Sequence, residues 1–331
     1  MDLMPSAEQE EITTTVASFL AARMPATAHA SVFVTPGAEI DSALFRECAE
    51  LGWLSLGLPE RFGGVGYGLA EEAMLFRELG RGLAPGGFLP GVLGARVAAF
   101  AGDADLAASI VSGSVQVALA TRDTTDTDDV SVLHAAEASL VVVCDAASAA
   151  LYSIADCALA PIDPVDGSVR IARGTLGGSV IASVAADLDP VFIRGLVLCA
   201  AMQAGTAEAQ CELGVAYAKV REQFGKPIGA NQAIKHRCAD MAVRAEGAFS
   251  QVCYAATALD GGAEGFAEEA IIAKYYADEA ARLNGEASVQ IHGAIGFTTE
   301  TLPHRHVWRA HTMARALAVR PALLDALVPR P

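Results

Sequence analysis

The chain has 331 residues, 53% of them hydrophobic and 19% charged, so it carries material for a substantial core and is not disordered as a whole. Lys and Arg number 23 against 39 Asp and Glu, and the net charge of −16 argues against nucleic-acid binding, which needs a basic surface. Mean hydropathy is +0.36, yet the longest near-apolar stretch, residues 195–207, falls short of the roughly 20 residues that a membrane span needs. It reads as a buried core helix or a subunit interface. The N-terminus MDLMPSAEQEEI is acidic where a secretory signal is basic and then apolar, so the cytoplasm is the expected location.

In chain order, residues 1–112 read as an N-terminal helical domain. Residues 8–22 carry Ile12, Val16, Phe19 and Leu20 at helical spacing behind a cap at Ser6. Further helices are predicted at 41–51, 69–80, 89–100 and 105–111. Between them, GWLSLGLPERFGGVGYG (52–68) is a structured loop, because its proline and glycines forbid a long helix. It either lines a ligand mouth or sets the angle between two helices.

Residues 113–186 change character. Short apolar runs at 115–120, 139–144 and 180–184 alternate with polar clusters such as TRDTTDTDD. Three short strands make a reduced β domain that packs on the helices rather than holding a core of its own. Residues 187–331 are predicted to form a C-terminal four-helix bundle, with helices at 187–220, 232–259, 266–292 and 302–318. The fold class is therefore mainly α.

Seven scattered cysteines without CxxC spacing read as reduced core thiols. Cys199 and Cys211 lack a local histidine partner and are expected in the core. His292, His304, His306 and His311 have no neighbouring acidic pair, so no metal site is assigned.

Two strings carry chemistry. REQFGKPIGANQAIKH (221–236) follows one long helix and opens the next. Arg221 can meet an anion, Phe224 offers a face to an aromatic ring, and Gln232 stands in a first turn where backbone N–H groups are unpaired. An ordinary interhelical turn with a solvated arginine gives the same spacing. In QIHGAIGFTTE (290–300), Gln290 precedes Gly293 and Gly296, which permit close backbone approach, or simply a tight turn.

These strings, together with GWLSLGLPERFGG and in this order, resemble the acyl-CoA dehydrogenase family over nearly the whole chain. The resemblance implies FAD seated between subunits, and a glutamate that removes the α-proton of an acyl-CoA thioester as hydride leaves the β-carbon for the flavin. Carried over by position, Arg221, Gln223, Phe224 and Gln232 would hold the adenine and pyrophosphate end of FAD, with Gln290, Gly293 and Gly296 beside them. Ala294 stands where the family usually has a second glycine.

The departures are equally specific. The family's two alternative positions for the base fall here on Arg194 or Gly195 and near Leu317, and neither has a carboxylate. No catalytic residue is assigned. The family's T-E-P string is missing and its W-I-T-N string looks deleted, so the flavin ring would lack its wall on this subunit. The chain is similar to the truncated, base-lacking subunit of actinobacterial steroid side-chain acyl-CoA dehydrogenases, α2β2 heterotetramers. This implies a second acyl-CoA dehydrogenase-like subunit, a bulky acyl-CoA substrate and an electron-transfer acceptor. Two alternatives stand beside it. One is a self-sufficient enzyme with a base relocated to Glu208 or Glu212, four and five turns along from Arg194, unless these form a solvated face. The other is a non-redox scaffold or acyl-CoA-binding homologue.

Overall fold

The computed structural model describes residues 5–27, 40–122 and 129–328. The N-terminal helices are α1 (Ala7–Arg23), α2 (Ser42–Glu50), α3 (Leu69–Arg81), α4 (Phe88–Phe100) and α5 (Ala104–Val111). The start of α1 is capped as the sequence suggests. Ser6 Oγ accepts from the Gln9 N–H while the Gln9 side chain returns a bond to the Ser6 N–H. Asp41 and Asp103 cap α2 and α5. The start of α3 is capped from a distance: Leu69 N–H donates to Asp260 Oδ2 at 2.6 Å, a carboxylate placed against the positive end of the helix.

The 52–68 loop is packed rather than open. Trp53 joins Phe19 and Phe88 in the core, and Arg96 Nη1 donates to the Gly57 carbonyl at 2.7 Å. A Cβ on Gly57 would lie 2.2 Å from the Glu72 carboxyl carbon, so only glycine fits. The loop ties α2 to α3 and α4, and its Trp53, Leu56 and Tyr67 also line a cavity of about 310 Å³ against α1.

Seven strands follow where three were expected: β1 (Val117–Arg122), β2 (Asp129–Leu133), β3 (Leu140–Cys144), β4 (Ser148–Ser153), β5 (Ala158–Ile162), β6 (Ile171–Thr175) and β7 (Ala182–Ala185). They form one sheet in the order β5-β6-β2-β1-β3-β4-β7, antiparallel except for the parallel β1–β3 pair. Residues 123–128 of the polar TRDTTDTDD cluster lie outside the described residues. The missed strands β4, β5 and β6 are partly exposed and carry few large apolar residues, and β2 has Val130 and Val132 alternating with polar residues, so none shows the continuous apolar run that marks β1 and β3. β5 carries Pro161, which an edge strand tolerates. The expectation that this region holds no core of its own is also corrected. Val117, Leu119, Leu140 and Val142 join the helical core, while Ala118, Ala120, Val130, Val132, Val141 and Val143 build a second cluster on the opposite face. Alternation along each strand supplies both faces.

The C-terminal part contains α6 (Val191–Val220), a two-strand hairpin of β8 (Glu222–Gln223) and β9 (Lys226–Pro227), α7 (Gln232–Asp260), α8 (Phe266–His292), α9 (Pro303–Met313) and α10 (Arg320–Leu327). Three helices are long. The fourth, expected over 302–318, stops at Met313. Leu317 then takes a left-handed φ of 69° and its N–H donates to Thr121 Oγ1 at 2.9 Å, which turns the chain onto β1. α6 is long and apolar enough to cross a membrane by composition, but 83% of its apolar window is buried inside the protein. It crosses α3 at two glycines: a Cβ on Gly80 would lie 1.9 Å from Met202 O, and one on Gly205 1.9 Å from Arg77 O. Asn284 on α8 is fully buried and donates to the Ala207 and Met241 carbonyls at 2.9 Å each, clasping α6, α7 and α8.

Candidate functional site

The antiparallel run of α6, α7 and α8 brings the two chemistry-bearing strings to one end of the bundle. α6 ends at Val220, and the Arg221 N–H closes its last turn on Tyr217 O at 2.9 Å. The hairpin that follows turns through Phe224 and Gly225, both at positive φ (53° and 76°), the geometry of a two-residue reverse turn. Phe224 is fully exposed. A bulky residue at positive φ with a bare ring is doubly unfavourable for the chain alone. Arg221, Gln223 and Gln232 are exposed as well. Arg221 has no side-chain partner among the described residues, and Gln223 bonds only its neighbour's carbonyl, Glu222 O. α7 starts at Gln232 without a side-chain cap, leaving its first N–H groups open.

At the end of α8, Gln290 is exposed. Gly293 has a φ of 66°, and no atom lies within 4 Å of where its Cβ would be, so its backbone is open to close approach. Gly296 is buried, with a virtual Cβ 3.0 Å from His292 Cβ, so this glycine serves the turn itself. Ala294 is exposed and keeps a negative φ, so its methyl faces outward without straining the backbone. Beneath the two strings, Ala218, Met241 and Ile291 form a small core joined by Ile228 and Ile234. Gln290 also borders a groove of about 500 Å³ between α7 and α8, with His236, Arg237 and Arg244 along it. Sequence reading did not single out these three basic residues. Their helical spacing, with Arg237 and Arg244 two turns apart on one face, was the available signal.

The base positions lie elsewhere. The two alternatives, far apart in sequence, meet in space: a Cβ on Gly195 would lie 3.0 Å from Leu317 Cδ1 and 3.1 Å from Leu93 Cδ1. Leu317 is 7% exposed and Leu93 fully buried. The spot is packed with hydrocarbon. Arg194 points away, its Nη1 donating to the buried Glu72 carboxylate at 2.7 Å. Glu208 and Glu212 do not serve this spot. Glu208 pairs with Arg77 at 2.7 Å and Glu212 with Arg81 at 2.8 Å, tying α6 to α3. They stand about 21 and 27 Å along α6 from Arg194 at 1.5 Å per residue. Above the packed spot, a cavity of about 430 Å³ lies between the sheet and α9, lined by Thr121, Ser131, Arg173, His311 and Arg315 among others. The sheet thus does present a face to the helices, and what is absent is the pair of strings that the resemblance implies.

The remaining titratable groups are structural. Arg309 donates to Asp166 Oδ2 at 2.6 Å and to Ala84 O at 3.0 Å, locking α9 to the β5–β6 connection. Burial pushes the His306 ring down to about 3, with Arg309 adding to the effect, and burial lowers His292 and His304 too. No group of three His, Cys, Asp or Glu side chains that could hold a metal exists among the described residues. Burial raises the thiols of Cys48, Cys144 and Cys199 to about 12, which makes them inert.

Residues 6–109 match the acyl-CoA dehydrogenase N-terminal domain and residues 193–318 the acyl-CoA dehydrogenase C-terminal domain. Acyl-CoA dehydrogenase IpdE2 of Mycobacterium tuberculosis is 33% identical over 95% of this chain and 94% of its own length. The chain belongs to the acyl-CoA dehydrogenase family. It is accordingly an oxidoreductase of that class, and its cofactor is FAD. Among solved structures, the ChsE4-ChsE5 complex from M. tuberculosis superposes with a TM-score of 0.86 at 22% identity, covering all of both chains. A variant of the Tcur3481-Tcur3483 steroid ACAD gives 0.82 at 24% identity, over 97% of this chain and 96% of that one. Both likenesses are of fold. The bundle end fits the nucleotide tail of FAD: an unpaired guanidinium, a bare aromatic face, open helix N–H groups and an approachable glycine backbone stand together there.

Proposed function

We propose that this chain is the base-lacking subunit of a heteromeric, FAD-dependent acyl-CoA dehydrogenase that desaturates a bulky acyl-CoA, a steroid side-chain thioester being the best match. Its partner is a second acyl-CoA dehydrogenase-like subunit in an α2β2 assembly in the cytoplasm, with an electron-transfer acceptor downstream. FAD supplies the hydride acceptor for the α,β-dehydrogenation. In this reading Arg221 meets the pyrophosphate, Phe224 lies against the adenine, Gln223 and Gln232 add polar contacts, and Gln290 with the Gly293 backbone closes on the same cofactor. The partner provides the glutamate.

One observation carries the reading: Gly195, Leu317 and Leu93 fill the place of the base with hydrocarbon. Proton abstraction from an α-carbon needs a base within hydrogen-bond reach, and this chain has none there. The nucleotide end, by contrast, keeps its polar groups bare. The steroid class is supported by the likeness to a steroid ACAD. Co-expression with a longer relative encoded alongside tests it. The complex is expected to hold FAD and turn over acyl-CoA, and the solitary chain to do neither. Full flavin loading and turnover by this chain alone would refute the reading. A complex without flavin absorbance would favour a scaffold.

A further inference from the structure

The two cofactor strings begin at the ends of different helices, α6 and α8, so something must fix their spacing. Tyr217 lies one turn before Arg221, and His292 immediately precedes Gly293. Their rings stack with centroids 4.3 Å apart and planes at 23°. His292 Nδ1 lies 2.8 Å from Ser288 O, so Nδ1 carries the N–H and donates. In the neutral ring the other nitrogen is then a lone pair, which cannot donate to a phosphate oxygen. Burial keeps the ring neutral by lowering its pKa.

The geometry points to the Tyr217–His292 stack as the positioning element that sets the Arg221–Phe224 hairpin against the Gln290–Gly293 turn, so that both strings meet one nucleotide. This inference rests on the proposed FAD clamp, and His292 acts in it through Tyr217 rather than by touching the cofactor. Phenylalanine in place of His292 keeps the stack and drops the Nδ1–H bond; alanine removes both.

The test uses the complex with its partner subunit and two readouts: the FAD dissociation rate, followed by flavin fluorescence, and hydrogen exchange at the Arg221 and Ile228 amides, which anchor the hairpin to Tyr217 O and Arg221 O. His292→Ala is expected to release FAD and to exchange at these amides roughly tenfold faster, the size of one lost aromatic stack. His292→Phe should stay within about threefold of wild type. Should His292→Ala not fold, Tyr217→Leu makes the same comparison. Wild-type rates in the alanine variant, or equal losses in the phenylalanine variant, would overturn the inference. If the wild-type complex holds no FAD, the clamp itself fails, while the exchange readout still decides the stack.

Discussion

The proposed nucleotide end of the bundle and the position that the family likeness gives the base are built on opposite principles. At the first, an arginine, three glutamines and a phenylalanine stand in solvent, and the phenylalanine is held at positive φ with its ring bare. At the second, a glycine and two leucines close tightly over one another. The exposed end leaves polar and aromatic side chains in solvent, and the buried spot holds only hydrocarbon. This contrast is what the proposed division of one site between two subunits would produce.

The strongest way to break this contrast is to force a carboxylate into the packed spot. Gly195→Glu is expected to destabilise the chain by about 3 kcal/mol or more, because the side chain overpacks Leu317 and Leu93 and brings a charge into hydrocarbon. Urea unfolding measures it. Gly195→Glu combined with Leu317→Gly opens room and should recover part of that loss; if the single substitution costs nothing, the spot is not packed as described.

The buried histidines sharpen the contrast through pH. His306 is held near 3 in the folded chain, below its ordinary value of about 6.5. Its folded pKa is depressed, so the unfolded chain binds a proton that the native chain refuses. Stability is full above about pH 6.5 and falls with acidification at up to about 1.4 kcal/mol per unit. His306→Phe should flatten that slope in unfolding curves between pH 7 and pH 4. Glu78 and Asp260, whose carboxyls burial raises, act with the opposite sign and stay in both proteins, so the difference isolates His306.

At the exposed end, effects should separate function from stability. Arg221→Ala is expected to weaken FAD retention in the complex by about 10- to 100-fold, the worth of a charge-assisted contact, while the unfolding free energy moves by under about 0.5 kcal/mol. Phe224→Gly gives the smallest change in stability. Relief of the left-handed strain, worth about 1 kcal/mol, offsets the entropy of glycine, so the chain should be no less stable while FAD retention falls. A clear loss of stability in either variant would show that these side chains serve the fold.

The sequence by itself determined most of the helices, the cap of α1 and the strings that carry the family likeness, because these are local; it missed α10 and overran α9. Ser6 caps α1 with its own neighbour, and Arg221, Phe224 and Gln232 lie within one turn-forming string. The sheet was read only where apolar runs announce it, at β1, β3 and β7. The partly exposed strands β2, β4, β5 and β6 lack a continuous apolar run, and two of their pairings, β2 with β6 and β4 with β7, join residues some 30 to 46 apart. Only the tertiary structure decided that Gly195 and Leu317, more than a hundred residues apart, occupy one spot, that Glu208 and Glu212 belong to arginines of α3, and that Tyr217 and His292 stack between the two cofactor strings. The physical reason is one of range. Capping and turn chemistry act over three or four residues, whereas packing and ion pairing depend on which distant helices the core brings together.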